Sequence, residues 1–241
     1  PENWEEKPFR IKKHQTDALW AWKAQGYKGI LELATGSGKT ITAIFGAVRI
    51  LEQLNHLALV VSVPTLEIAQ QWIGVLEKFG IIPHKCYDSK ESWHPAFSRD
   101  VQAYNIEAKD FLAAVVVNKT MVNEEFKDLV NSIEKNLMFI GDECHRHGSE
   151  NMSNALPDAY YRMGLSATPF NSDEDDYDSP FPDEARVRLI SYYSGIVDTY
   201  TLGDAINDGV LCEYDYHIIP IFLTQNEQQI FDDISAEISK L

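Results

Sequence analysis

Residues 34–40 read Ala-Thr-Gly-Ser-Gly-Lys-Thr, between an apolar, strand-like run at 29–33 and an amphipathic, helix-like run at 41–54. Two glycines let successive backbone N–H groups curl around an anion, and a helix starting here aims the positive end of its dipole at the same point. A lysine and a hydroxyl residue directly after them complete a cradle for a nucleoside triphosphate. Lys39 would reach the terminal phosphates and the Thr40 hydroxyl would reach Mg2+. The full pattern GxxxxGK[ST] has glycine where this chain has Leu33, so the match is to the shorter AxTGSGKT form. Thr35, Gly36, Ser37, Gly38, Lys39 and Thr40 are the nucleotide-binding candidates.

A second polar cluster, Gly141-Asp142-Glu143-Cys144-His145, follows the apolar stretch 137–140. A carboxylate at a strand end beside a phosphate loop is placed to hold the ion, which makes Asp142 the metal partner of Thr40. Glu143 points elsewhere and can position or deprotonate the attacking water. That second carboxylate is what turns a binder into a hydrolase. His145 is expected to hydrogen-bond toward the phosphates or the next motif, and His147 to lie at the surface. His, Cys and Asp crowd within six residues here, but zinc needs a second ligand pair and the sequence offers none. A third cluster, Ser166-Ala167-Thr168-Pro169, follows the strand-like 161–165. Its two hydroxyls can bridge backbone and carboxylate partners and sense the γ-phosphate.

Stepping out from these clusters, 57–63, 113–117 and 137–140 are short continuous apolar stretches, as expected for strands covered on both faces. Between them, 66–79, 93–111 and 121–133 are long enough for crossover helices. The alternation predicts an α/β fold: a mainly parallel sheet with helices on both faces, and ligands beyond the carboxyl ends of the strands. From residue 201 the pattern changes. A short helix at 201–207 with Gly209 as its C-terminal glycine leads to an alternating stretch at 214–223. Thr224 to Glu227 then has capping-box spacing and opens a helix with Ile230, Phe231, Ile234 and Ile238 on one side. The expected division is an N-terminal segment (1–28), an ATP-binding domain (29–200) and a linker segment (201–241).

A chain of 241 residues has room for one large α/β domain, or one domain with an appendage. It has no run of eighteen apolar residues and no charged-then-apolar leader, so an intracellular, cytoplasmic protein without a membrane partner is expected. Pro1 without a preceding Met, and a last helix still running at Lys240-Leu241, are expected of a segment excised from something longer. Cys86, Cys144 and Cys212 are odd in number and far apart, and read as free thiols. The net charge of −16 is adverse to a nucleic-acid partner. Seven of the acids, however, are Asp173, Glu174, Asp175, Asp176, Asp178, Asp183 and Glu184, in a basic-free stretch at 171–184 that also holds Pro180 and Pro182. That stretch is expected to be a solvated surface loop, and a place where a protein partner could dock.

In that order, 34–40, 142–145 and 166–169 resemble motifs I, II and III of the first RecA-like motor domain of superfamily 2 helicases and translocases. Motif II reads Asp-Glu-Cys-His, similar to the DEAD/DEAH-box group in the wide sense. Pro64-Thr65-Leu66-Glu67-Ile68-Ala69-Gln70-Gln71-Trp72 resembles motif Ia, which in that family contacts a sugar-phosphate backbone. The resemblance makes Pro64, Thr65 and Gln70 nucleic-acid candidates, with the loop at 118–120 beside them. A plain helix cap at Thr65 is compatible with the same residues. His14-Gln15 before Ala18-Leu19 resembles the glutamine motif, in which Gln15 would read the adenine edge and favour ATP. Lys12 stands where relatives carry arginine. The layout from DECH to SATP is most similar to the branch holding restriction-enzyme motor subunits and excision-repair helicases, and 209–214 resembles the approach to a second motor domain.

The resemblance spans about 9–223. It implies ATP and Mg2+ as cofactors, nucleic acid as partner with DNA favoured over RNA, and a second RecA-like domain of the same parent chain. Motifs IV to VI, with the arginine finger, have no counterpart after Leu223. Such an arginine raises turnover roughly 1,000- to 100,000-fold. The isolated chain is therefore expected to bind nucleotide and hydrolyse it poorly. Two other classes remain open: a nucleotide-gated protein-interaction module using the acidic loop, and a chaperone-like ATPase, in which the 64–65 and 166–169 segments are not expected. The helicase assignment requires Lys39, Asp142 and Thr168 to meet around one triphosphate. Rapid strand-stimulated ATP turnover by these 241 residues alone would contradict the expected dependence on a second domain.

Overall fold

The computed structural model describes residues 10–170, 182–213, 217 and 223–238. The run Leu-Ala-Leu-Val-Val-Ser-Val at 57–63 can be stable only with both faces covered, and all seven of its residues are buried. It pairs in parallel on both sides within a seven-stranded sheet. The strands are β1 (Lys28–Leu33), β2 (Leu57–Val63), β3 (His84–Cys86), β4 (Phe111–Val117), β5 (Leu137–Asp142), β6 (Tyr161–Ser166) and β7 (Ile196–Tyr200). Their order is β3-β4-β2-β5-β6-β1-β7, and every neighbouring pair is parallel.

The period of two along each strand sorts its side chains to two cores. Leu59, Val61 and Val63 face α1 (Lys13–Ala24), α2 (Lys39–Leu54) and α3 (Leu66–Lys78), where Trp22, Ile44 and Trp72 pack. Ala58 and Val60 face the opposite layer. There α4 (Lys90–Asn105), α6 (Glu124–Asn131) and α8 (Asp183–Tyr193) contribute Phe97, Phe126 and Tyr193. The short helices α5 (Asn118–Met121), α7 (Glu150–Ser153) and α9 (Leu202–Asn207) lie in the connections. The α/β class with helices on both faces is as expected. Among the described residues, no helix is long and apolar enough to cross a membrane.

Several expected boundaries shift, each for a local reason. The helix expected at 93–111 is α4, which ends at Asn105; Glu107 then takes a left-handed φ of 58°, and Phe111 already belongs to β4. Of the helix expected at 121–133, α6 covers Glu124–Asn131, while Met121 ends the preceding α5. The Asn123 side chain accepts the Glu125 and Phe126 N–H groups at 3.0 and 3.3 Å and starts α6 afresh. Asp183 and Glu184 form the first turn of α8, where acids complement the helix dipole, so they are not part of a loop. The remainder of the acidic stretch, 171–181, lies outside the described residues, as do most of 214–223 and the two chain ends. β3, β7 and α8 had no counterpart among the expected elements.

Residues up to Leu211 and residues from Cys212 form separate compact units. In the second, Thr224 and Glu227 make the expected reciprocal cap, at 2.8 Å (Thr224 N–H to Glu227 Oε2) and 3.4 Å (Glu227 N–H to Thr224 Oγ1). They open α10 (Gln225–Ile238), whose Ile230, Phe231 and Ile234 are exposed. Cys86 and Cys144 are buried free thiols, and Cys212 is an exposed one.

His147 corrects the sequence reading most sharply: it is 0% exposed. The 3-10 turn Cys144–Gly148 after β5 folds inward, and His147 Nδ1 lies 2.9 Å from the Tyr193 hydroxyl of α8. The fit is close enough to demand glycine on either side. A Cβ at Gly141 would sit 2.3 Å from the Tyr193 hydroxyl, and one at Gly148 would sit 2.9 Å from the Ala185 Cβ. Arg188 Nη1 also donates to the Gly148 carbonyl at 3.0 Å, so α8 clamps the whole turn. Tyr193 is distant in sequence, which is why His147 read as a surface residue.

Burial, and secondarily His145, lowers the His147 pKa from 6.5 to about 3. The unfolded chain takes up this proton below 6.5 and the folded chain does not, so stability falls as pH drops through that window. At pH 5 the loss from this one group is about 2 kcal/mol. Urea unfolding at pH 7 and pH 5 should show that His147→Gln removes most of this difference. A variant with an undiminished acid loss would refute the buried neutral imidazole.

Candidate nucleotide-binding site

Because the sheet is parallel, β1, β2, β4, β5 and β6 all deliver their following loops to one rim. At β1 the chain leaves Leu33 and turns through Gly36 (φ 81°) and Gly38 (φ 97°) before α2 starts at Lys39. Both glycines hold left-handed backbone, and a Cβ at Gly38 would come within 2.6 Å of the Gln15 amide nitrogen. The first N–H groups of α2 have no partner inside the helix and open onto this loop. Lys39 folds back so that its Nζ donates to the Leu33 carbonyl at 3.3 Å. The Ser37 hydroxyl is buried and has no hydrogen-bond partner among the described residues. Thr35 is exposed, and Thr40 is half-buried on the first turn of α2.

The start of α1 braces this loop. Gln15 Nε2 donates to the Gly38 carbonyl at 3.2 Å, and Gln15 Oε1 accepts the Lys12 N–H at 2.9 Å. Both ends of the amide are thus engaged by backbone. His14 Nε2 lies 3.0 Å from the Ser37 carbonyl, and its ring stacks on Tyr200 at 4.1 Å between centroids.

At β5, Asp142 closes the strand and is 7% exposed. Its Oδ2 accepts the Trp72 indole N–H at 2.6 Å and its Oδ1 accepts the Glu143 N–H at 3.2 Å. Burial pushes the Asp142 carboxyl above the usual carboxylate range. The Trp72 hydrogen bond opposes that, the Glu143 charge adds to it, and the Lys39 ammonium opposes it. Glu143 takes a left-handed φ of 47°, unusual for a residue with a side chain. Its carboxylate lies 3.9 Å from Lys39 Nζ and 3.5 Å from His145 Nδ1. The pairing of Asp142 with Leu165 in register brings the end of β6 alongside. There His145 Nδ1 meets Ser166 Oγ at 3.2 Å, and the same oxygen accepts the Thr168 N–H at 3.1 Å.

The three polar clusters, distant in sequence, therefore form one chain of contacts: Lys39, Glu143, His145, Ser166, Thr168. Pro64, Thr65 and Gln70 stand at the same rim beyond β2, Pro64 half-buried and the other two exposed. Thr65 Oγ1 accepts the Ile68 N–H at 3.5 Å and caps α3. Ser62 Oγ donates to Asn118 Oδ1 at 2.8 Å, tying the ends of β2 and β4 together. Sequence reasoning quoted Trp72 only as part of a motif and gave no role to Tyr200. The indole and the stacked ring act through residues far away in the chain, and no local pattern marks them.

The donor set suits Mg2+, which prefers oxygen ligands and takes one or two carboxylates with substrate phosphates rather than a protein cage. Asp142 and Thr40 offer oxygens of that kind, and a buried carboxylate without a cationic hydrogen-bond partner is relieved by a nearby positive charge. Among the described residues, no three His, Cys, Asp or Glu side chains form a cage of their own.

Known proteins resemble this chain in sequence and in fold. A curated relative, "Putative helicase 22" of Sulfolobus islandicus filamentous virus (isolate Iceland/Hveragerdi), is 25% identical over 181 residues, covering 69% of this chain and 29% of that protein. The ATP-dependent Type ISP restriction-modification enzyme LlaBIII, solved bound to DNA, matches with a TM-score of 0.62 at 17% identity, over 87% of this chain and 16% of that one. The UvsW helicase from Bacteriophage T4 matches with 0.52 at 17% identity, over 80% and 61%. The chain thus spans less than a third of the viral relative and less than a fifth of LlaBIII. At such identities the structural likeness establishes the fold alone. The family model described as Type III restriction enzyme, res subunit, matches residues 8–171, which hold all three clusters, and the chain belongs to that family.

Proposed function

We propose that this chain is the ATP-binding domain of an ATP-dependent helicase or translocase, hydrolysing ATP with Mg2+ to move on or remodel DNA. The observation that carries this is the contact chain from Lys39 through Glu143 and His145 to Ser166, at 3.9, 3.5 and 3.2 Å. It joins a phosphate cradle, a candidate base and a hydroxyl pair that can report on the phosphate. The loop N–H groups and Lys39 bind the phosphates. Thr40 and Asp142 would hold Mg2+, which when bound neutralises charge developing on the transferred phosphoryl group. Glu143 orients the attacking water and accepts its proton, and His145 sets the Glu143 carboxylate. Ser166 Oγ, shared by His145 and the Thr168 N–H, passes a change at Glu143 to the 166–169 segment. For Gln15 to read an adenine edge it would exchange one of its two backbone bonds.

The nucleic-acid side rests on the exposed Thr65 and Gln70 with Pro64. They are neutral groups that meet phosphates through hydroxyl, amide and backbone donors, so they recognise backbone and not sequence. DNA is favoured over RNA because LlaBIII, of the same fold, was solved on DNA. The domain is taken as 29–200, with 1–28 bracing the loop and 201–241 leading to a second RecA-like domain that supplies an arginine. The acid concentrated at 171–184 favours one other reading, a nucleotide-gated module that docks a protein partner there.

Two outcomes are expected. Glu143→Gln should leave the affinity for a fluorescent ATP analogue within about twofold and lower phosphate release by the full-length parent about 100-fold or more, while Lys39→Ala should abolish binding. Unchanged hydrolysis in Glu143→Gln would overturn the assignment of the base. In fluorescence anisotropy, affinity for duplex or single-stranded DNA should fall with rising salt and weaken in a Thr65→Ala, Gln70→Ala double variant. An affinity indifferent to salt would favour the docking module.

A further inference from the structure

We propose that Trp72 is a positioning residue whose indole N–H holds the Asp142 carboxylate in its metal-binding orientation and ties that carboxylate to α3. The proposal rests on the site being an ATP·Mg2+ site. The bond is 2.6 Å long and joins residues 70 apart in sequence. Trp72 is 1% exposed and lies in the core with Ala69, Ile73 and Leu76 of the same helix, so close packing restrains its ring. Asp142 Oδ1 is meanwhile fixed by the Glu143 N–H. With both oxygens held, rotation of the carboxylate about its last bond costs hydrogen bonds.

The type of donor matters. An indole N–H donates once, accepts nothing and carries no charge. It orients the carboxylate while leaving the full negative charge for a cation. A lysine or arginine in its place would neutralise the ligand it positioned. The bond also has a mechanical consequence. Thr65 caps the exposed start of α3 and Gln70 is exposed two residues before Trp72. A displacement of α3 by about 1 Å along the line of this bond would take it beyond hydrogen-bonding range. A contact at Thr65 and Gln70 that moves α3 in that direction would thus be felt at Asp142.

The test replaces Trp72 with β-(3-benzothienyl)alanine by site-specific incorporation, which keeps the ring shape and removes the N–H. Trp72→Phe is the genetically simpler companion, and thermal melting verifies that each is folded. Affinity for a fluorescent ATP analogue is measured with Mg2+ and with EDTA. The expected result is a roughly tenfold smaller gain from Mg2+ in both variants, as for other residues that orient metal ligands, with affinity in EDTA unchanged. In 15N spectra of the wild-type chain, the indole signal missing from Trp72→Phe should shift when Mg2+ is added to the ADP-bound protein. A full Mg2+ gain in the benzothienyl variant, or an indole signal unmoved by Mg2+, overturns the role of Trp72 alone. A wild-type chain with no gain from Mg2+ overturns the site reading, and this inference with it.

Discussion

Everything at this site depends on one constraint: a parallel sheet sends the carboxyl end of every strand to the same edge. Residues as far apart in sequence as Lys39, Asp142 and Ser166 then become neighbours without any loop having to be long. The backbone groups beyond each strand end leave the ladder at that edge and need partners. Here some find them in the side chains of the next loop, as the Leu33 carbonyl does in Lys39 and the Thr168 N–H in Ser166. The loop at 36–40 leads into the start of α2, whose first N–H groups have no partner inside the helix.

The central strands β5 and β6 carry the consequence furthest. Each ends in a short polar segment, 142–145 after β5 and 166–169 after β6. The turn after β5 goes inward, with Glu143 left-handed and His147 fully buried, because Gly141 and Gly148 leave room for Tyr193 and Ala185. α8 therefore does more than cover a sheet face. Through Tyr193 and Arg188 it fixes the turn from which Glu143 and His145 project.

The main outline was legible in the amino-acid order. The apolar strands at 57–63, 137–140 and 161–165, the glycines and lysine of 34–40 and the Asp142–Glu143 pair all declare themselves within a few residues, since period, turn chemistry and charge are local signals. What escaped was non-local or brief. β3 has three residues, and β7 is an edge strand with two polar side chains among five. The break at Asn123 is a side-chain cap inside an otherwise helical run, and two acids credited to a loop were the first turn of α8. At the site, residue types were readable while partners were not. Nothing near Trp72, His147 or Gln15 in the sequence says that they reach Asp142, Tyr193 and Gly38.

Several departures from ordinary folding rules lie in or next to the candidate site. Buried polar groups are nearly always paired, yet the two buried side-chain atoms without a partner among the described residues are Ser37 Oγ, in the phosphate loop, and His147 Nε2, in the turn after Asp142. Glu143 holds a backbone conformation that costs a residue with a Cβ about 1 kcal/mol or more. Asp142 is a buried carboxylate whose nearest bonded partner is a neutral indole. A core selected for stability alone would pair or remove each of these. Ser37, Asp142 and Glu143 lie at the carboxyl-end rim of the sheet, and the proposed function accounts for them as groups that await the charges of a bound nucleotide and its cation.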